Sequence, residues 1–334
     1  MSDRNSQSPV AMVTGSSGFI GSHLVSGLLD QGWRVVALVR SSTKRAWLES
    51  QNISIIEAAY HDQKSFERAL QGVEYVFHLG AALRAPDRSV YYKVNVKGTE
   101  NLLAAVCNQA SKLKKFVYVS SIAAAGPSDE NKFRDETQPC QPVSLYGESK
   151  LAAEKVVQSF SHRLPITIVR PPNVLGPRQK ELETILKLIK RRILPMMGNG
   201  NLQTSICFVQ DLVRALLLVA QRDESINQIY YVTDNRAYSW RAMVQQIASI
   251  LGTDSNSLKI PHPVLFLVGC LSDAGARLFK TPRLISRGEV KSLRRYYWLF
   301  NSAKIQRELG FNPLVHFEEG ITEVIHWYRS RRLL

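Results

Sequence analysis

The chain has 334 residues, 45% hydrophobic and 21% charged, ordinary proportions for a globular protein with room for one large α/β domain or two unequal ones. No run approaches 18 uninterrupted apolar residues, which argues against a membrane-spanning helix, and the four cysteines at 107, 140, 207 and 270 form no C-x-x-C pair or zinc-type spacing. The formal charge of +15 is unevenly placed: residues 277–307 hold nine Lys or Arg against one acid, Glu289, a net +8.

The opening MSDRNSQSP is polar and lacks an apolar signal core, so export is not expected, and the scattered cysteines suit a reducing cytoplasm. Residues 10–21, VAMVTGSSGFIG, then read as a buried strand, a sharp turn and the start of a helix. The glycines at 15, 18 and 21 follow G-x-x-G-x-x-G. Gly15 permits the turn, Gly18 lets the backbone approach a pyrophosphate, and Gly21 lets helix and strand pack closely. The helix N-terminus at Phe19 and Ile20 offers free N–H groups and a positive dipole end to the anion.

Beyond that turn, strand patterns over 34–39, 53–57, 75–79, 115–120 and 166–170 alternate with helical patterns over 19–31, 65–70, 90–109 and 145–160. Apolar strands alternating with helices predict an α/β Rossmann fold, a doubly wound parallel sheet with a nucleotide at the carboxyl ends of its strands. The second strand ends in ALVRSSTKR, where Arg40 and Lys44 replace the acid that suits a ribose diol. A guanidinium suits a 2′-phosphate, so NADP is the expected cofactor, with NAD as the alternative.

The main chemical signal is Tyr146-Gly-Glu-Ser-Lys150. Residues i and i+4 share a helix face, and a lysine ammonium there favours the phenolate of a tyrosine whose unperturbed pKa is about 10. The pair reads as an acid/base couple working near neutral pH.

Together these residues resemble the extended short-chain dehydrogenase/reductases, the NAD-dependent epimerase/dehydratase family, over nearly the whole chain. TGSSGFIG at 14–21, HLGAA at 78–82, VNVKGTENLL at 94–103, VYVSSIAAAG at 117–126, YGESK, RPPNVLGP at 170–177, FVQDLVRAL at 208–216 and FNPLVHFEEGITEVIHWYR at 311–329 are each similar to that family's ordered motifs. The likeness is greatest to the 3β-hydroxysteroid dehydrogenase and dihydroflavonol reductase branch.

The resemblance implies roles. Tyr146 exchanges a proton with the substrate oxygen, Lys150 lowers its pKa and holds the nicotinamide ribose, and Ser121, with Ser120 as alternative, hydrogen-bonds that oxygen. Asn95 supports a proton relay and Pro172 lies against the nicotinamide. The histidines are not needed, and their spacing makes no metal site. Two features depart from the family. Ala59 stands where an aspartate commonly meets adenine, leaving that contact to backbone, Tyr60 or Asp62. Arg84 and Arg88 follow the H-x-A-A turn as substrate-side candidates or solvated charges.

The dinucleotide-binding domain is expected over 9–174, with segments near 205–233 returning to it, and the remainder over 175–334 as a smaller, mostly helical substrate lobe. An amphipathic helix is expected over 181–192. The apolar run 264–271 reads as a buried lobe helix or as a membrane-facing element with cationic flanks. Asn173 favours a nucleotide sugar, because epimerases resembling this chain use an asparagine there. Thr204 stands where those enzymes carry a diphosphate-binding arginine. The expected activity is hydride transfer between nicotinamide and a secondary alcohol or ketone of an apolar, steroid-, flavonoid- or lipid-like substrate. The rivals are a nucleotide-sugar epimerase/dehydratase with bound NAD and a non-catalytic NADP sensor or scaffold. No nucleic-acid partner is expected. A homodimer and a peripheral membrane contact through the basic segment 277–307 stay open.

Overall fold

The computed structural model describes residues 8–40, 45–49, 51–59, 63–197, 200–201, 203–253, 256–260 and 297–334. Lys44, Tyr60, Asp62, the apolar run 264–271 and the basic stretch through residue 296 lie outside the described residues.

The element order begins β1 (Val10–Thr14), α1 (Phe19–Asp30), β2 (Arg34–Val39), β3 (Ser54–Glu57), α2 (Gln63–Ala69), β4 (Tyr75–His78) and α3 (Arg88–Tyr91). A π-helical turn (Tyr92–Lys97) leads into α4 (Gly98–Gln109), β5 (Lys115–Val119), α5 (Ile122–Ala125), α6 (Leu145–Ser159), β6 (Ile166–Arg170) and β7 (Asn173–Leu175). Then come α7 (Lys180–Lys190), β8 (Ile193–Met197), β9 (Gln203–Thr204), β10 (Ile206–Phe208), α8 (Val209–Gln221) and β11 (Gln228–Tyr231). The described chain closes with β12 (Tyr238–Ser239), α9 (Trp240–Leu251), β13 (Asn256–Ile260), β14 (Tyr297–Trp298), α10 (Ala303–Leu309) and α11 (Phe317–Ser330).

Seven strands form one parallel sheet in the order β11-β6-β5-β4-β1-β2-β3, a Rossmann-type arrangement. β1, β5 and β6 are buried at every position, as expected for strands covered on both faces, which explains their continuous apolar runs. The strand order reverses between β1 and β4, so the crevice at their carboxyl ends opens where a nucleotide binds such sheets.

One face of the sheet packs against α1, α8 and α10 through Leu24, Leu28, Leu212, Leu216 and Ile305. The other packs against α2, α4 and α6 through Phe66, Leu102, Val106, Ala153 and Val157. A third core joins α7, α9 and α11 around Leu186, Ile247, Ile321, Val324 and Phe208. Asp211 ties α8 to the chain leading into α11, accepting the N–H groups of Leu314 and Val315 at 2.9 Å each.

Two features differ from the sequence pattern. The helix expected over 90–109 is interrupted by the π turn that carries Asn95, which 3.6-residue periodicity does not register. Among the described residues, the helices after β6 are accompanied by three small sheets, β7 with β10, β8 with β13, and β9 with β12 and β14. Several of those strands are only two or three residues long, too short to show alternation. No helix among the described residues is long and apolar enough to cross a membrane.

Candidate active site

The glycine turn is shaped by sterics. Gly15 has φ +68, and a Cβ there would lie 2.8 Å from the Gly80 nitrogen; a Cβ at Gly21 would lie 2.1 Å from the Gly15 carbonyl oxygen. Gly18, exposed and extended, precedes α1 with no side-chain cap, and the first turn of α1 holds no acid. Uncapped N–H groups and the helix dipole therefore face the crevice, which fits a pyrophosphate. Phe19 and Ile20 form that first turn, half-buried.

At the end of β2, Arg40 is exposed. The strand register sets Glu57 opposite Val39, and Arg45 forms an ion pair with Glu57. An acid thus stands beside this corner although the stretch after β2 contains none before Glu49. Pro172 is buried and directly follows Pro171, whose carbonyl accepts the Ile122 N–H at 3.0 Å.

The three proposed catalytic side chains converge at the ends of β5 and α6. Ser121 caps α5, its hydroxyl accepting from Ala123 N at 3.1 Å. Ser144 caps α6 in the same way through Gly147 N at 3.1 Å and starts the turn that carries Tyr146. The Ser121 hydroxyl faces the Tyr146 phenol and pulls its pKa down, but burial dominates and raises it to about 12. Ser120 instead is buried, its hydroxyl without a hydrogen-bond partner among the described residues.

Lys150 is 2% exposed, and its Nζ donates to the Val119 carbonyl at 2.8 Å and stands 4.2 Å from the Tyr118 ring centroid. Burial lowers its pKa to about 7, against the opposing pull of Glu154. The spacing Y-x-x-x-K predicts a lysine that depresses the tyrosine. Here both groups are moved by desolvation, toward their neutral forms.

Asn95 lies on the π turn that leads into α4. Its side chain is 1% exposed and fully engaged. Oδ1 accepts from Ala82 N at 2.7 Å, and Nδ2 donates to the Ala82 carbonyl at 3.1 Å and to the Ser149 hydroxyl at 2.9 Å. Ser149 in turn donates to the Tyr146 carbonyl at 2.7 Å. The Asn95 amide thus clamps the loop after β4 to α6, the helix that carries Tyr146 and Lys150.

Several participating residues escaped the sequence reading. Ser149 sits inside Y-G-E-S-K but carries no signal of its own. His78 lies in H-L-G-A-A, where an apolar strand end gives no hint of a buried imidazole's partners. Arg84 and Arg88, named from the sequence as substrate-side candidates or solvated charges, form exposed ion pairs with Glu181 on α7 and Glu148 on α6, each at 3.5 Å.

Known proteins resemble this chain over nearly its whole length. The profile of the NAD dependent epimerase/dehydratase family matches residues 11–233. A ceramide reductase of Caulobacter vibrioides is 26% identical over 324 residues, 96% of this chain and 95% of its own. A decarboxylating sterol-4-alpha-carboxylate 3-dehydrogenase of Dictyostelium discoideum is 25% identical over 327 residues, 93% of this chain and 98% of its own. The solved UDP-glucose 4-epimerase of Thermotoga maritima, with UDP-glucose, superposes with a TM-score of 0.81 at 26% identity, covering 97% of this chain and 99% of that one. With the family profile spanning most of the chain, from the glycine turn to the last strand of the main sheet, this protein belongs to the NAD dependent epimerase/dehydratase family and is an enzyme of the extended short-chain dehydrogenase/reductase type.

Proposed function

We propose that this enzyme reduces a ketone, or oxidises the matching secondary alcohol, on an apolar lipid-, steroid- or flavonoid-like substrate, with NADP preferred over NAD. The observation that carries the substrate class is the pair Asn173 and Thr204. Asn173 Nδ2 approaches Thr204 Oγ1 at 3.3 Å, and that hydroxyl, 4% exposed, donates to the Ser205 carbonyl at 3.0 Å. A neutral, satisfied hydroxyl stands where a diphosphate needs a bidentate cation. The ceramide and sterol named for two relatives support an apolar substrate. The exposed Arg40 at the end of β2 supports a 2′-phosphate.

In this reading the bound nicotinamide supplies or accepts the hydride. Tyr146 gives its phenolic proton to the substrate oxygen, Ser121 hydrogen-bonds that oxygen, and Lys150 holds the nicotinamide ribose beside Pro172. A phenol raised to about 12 stays protonated at neutral pH, which suits the reductive direction. The second reading, a nucleotide-sugar epimerase, draws on the exposed Asn173 and on the likeness to the UDP-glucose epimerase.

Thermal stabilisation of the NADP-loaded protein separates the two. The expected result is a rise in Tm with long-chain, sterol or flavonoid ketones and none with UDP- or dTDP-sugars. A shift with nucleotide sugars alone makes the epimerase reading the better account.

A further inference from the structure

Between the glycine turn and the π turn runs a chain of buried polar groups that the proposed chemistry does not use. Thr14, last in β1, His78, last in β4, and Thr99, in the first turn of α4, are each at most 1% exposed. Gly80 N donates to Thr14 Oγ1 at 3.0 Å, Thr14 Oγ1 lies 2.6 Å from His78 Nδ1, and His78 Nε2 lies 2.9 Å from Thr99 Oγ1. Thr99 Oγ1 donates its one proton to the Asn95 carbonyl at 2.6 Å.

Donor and acceptor counting sets every direction in this chain. Because Thr99 spends its proton on Asn95, it accepts from His78, so Nε2 carries the hydrogen. Burial, with the nearby Lys150 adding to it, holds the imidazole neutral and its pKa near 3. Nδ1 is therefore bare and accepts from Thr14, which itself accepts from Gly80. The chain continues past the Asn95 backbone through the Asn95 amide to Ser149 and the Tyr146 carbonyl. At its other end, the Gly80 backbone is what a Cβ on Gly15 would meet first, its nitrogen at 2.8 Å.

We infer that His78, locked as the Nε2–H tautomer between Thr14 and Thr99, is a positioning residue that couples the cofactor-binding glycine turn to the Asn95 turn and through it to the catalytic helix. The inference rests on the proposed roles of the glycine turn and of Tyr146. A neutral imidazole, with one donor and one acceptor nitrogen, joins the two hydroxyls, and both nitrogens are consumed in the process. A displacement of the glycine turn on cofactor binding is thereby transmitted to Asn95 without a side chain of the π turn touching the cofactor.

The test uses the full chain and NADPH. Nitrogen NMR of the His78 ring is expected to show a protonated Nε2 and a bare Nδ1, unchanged from pH 5 to 9; a proton on Nδ1, or titration in that range, overturns the inference. Hydrogen–deuterium exchange then reads the coupling without a substrate. NADPH is expected to slow exchange at residues 92–97 at least threefold in the native protein and in Thr99→Ser, which keeps the hydroxyl. In Thr99→Val, and in His78→Phe where it folds, NADPH is expected to bind within threefold of its native affinity while that protection is lost. Binding with protection retained in Thr99→Val overturns the coupling and leaves the proposed function standing. No binding of NADPH or NADH by the native protein overturns both.

Discussion

Tyr146 and Lys150 share one face of α6, a turn apart, and burial drives them in opposite directions, the phenol up to about 12 and the ammonium down to about 7. Both shifts favour the neutral side chain, so the protein stores the couple as phenol and easily discharged amine. A dinucleotide whose nicotinamide ribose reaches Lys150 would meet a hydrogen-bonding group already freed of part of its hydration.

The lysine shift predicts a pH-dependent stability. The folded value near 7 lies below the ordinary 10.5, so between those two values the unfolded chain binds more protons and stability rises with pH. Below pH 7 the full penalty of a buried ammonium is present. Lys150→Met removes it, so the variant is expected to melt higher than the native protein at pH 6, with the gap narrowing toward pH 10. Paired melting curves across that range check it; a constant gap contradicts the burial of charge.

Tyr146→Phe keeps the ring and its packing near Tyr91, whose ring centroid lies 6.3 Å away, while removing the proton. Turnover on whichever ketone stabilises the NADP-loaded protein is expected to fall by about 10²–10⁴-fold, the usual scale of general acid–base catalysis. NADPH affinity, from fluorescence titration, should change by only a few-fold. Native-level turnover in this variant removes Tyr146 from the proton transfer.

Arg40 carries the proposed cofactor preference. Arg40→Ala is expected to weaken NADPH binding by roughly 1.5–3 kcal/mol, the worth of a charge-assisted hydrogen bond, and to leave NADH nearly unchanged. Arg45 is a poorer candidate because Glu57 already holds it. Titration of both cofactors against both proteins decides the matter, and equal native affinities contradict the preference.

Gly21→Ala tests the cradle. The added Cβ would meet backbone, the Gly15 carbonyl oxygen at 2.1 Å, so the turn and the helix must separate. The variant is expected to lose dinucleotide binding and about 1–3 kcal/mol of stability, the typical cost of overpacking. Urea unfolding and NADPH titration report the two losses separately.

Behind the site, Arg170 and Glu154 form a buried two-pronged ion pair at 2.9 and 2.6 Å, with side chains 4% and 1% exposed. Arg170 also donates to the Tyr231 hydroxyl at 3.1 Å, joining β6 to β11. Glu154→Gln leaves an uncompensated guanidinium, so a loss of about 3–5 kcal/mol is expected, read as a lower urea midpoint. The matched replacement of both charges by apolar side chains should recover much of that loss.

The residues that spell the fold are local. An apolar run at β1, glycines three apart, and a tyrosine one turn before a lysine are each properties of a few neighbouring residues. Backbone sterics and helix geometry act on them directly, so the doubly wound sheet, the strand–turn–helix at the glycines and the placing of Tyr146 and Lys150 on one helix face are legible in the chain alone. Charge at the end of β2 is only half legible. Arg40 is visible after β2, whereas Glu57 arrives beside it through the register that pairs Val39 with Glu57. The settings of Asn95, Ser149 and His78 belong wholly to the tertiary structure. Each depends on hydrogen bonds between elements far apart in sequence, such as Thr14 to His78 and Asn95 to Ser149. The pKa values of Tyr146 and Lys150 do too, because desolvation is imposed by everything that packs around a group, and no stretch of sequence contains its own burial.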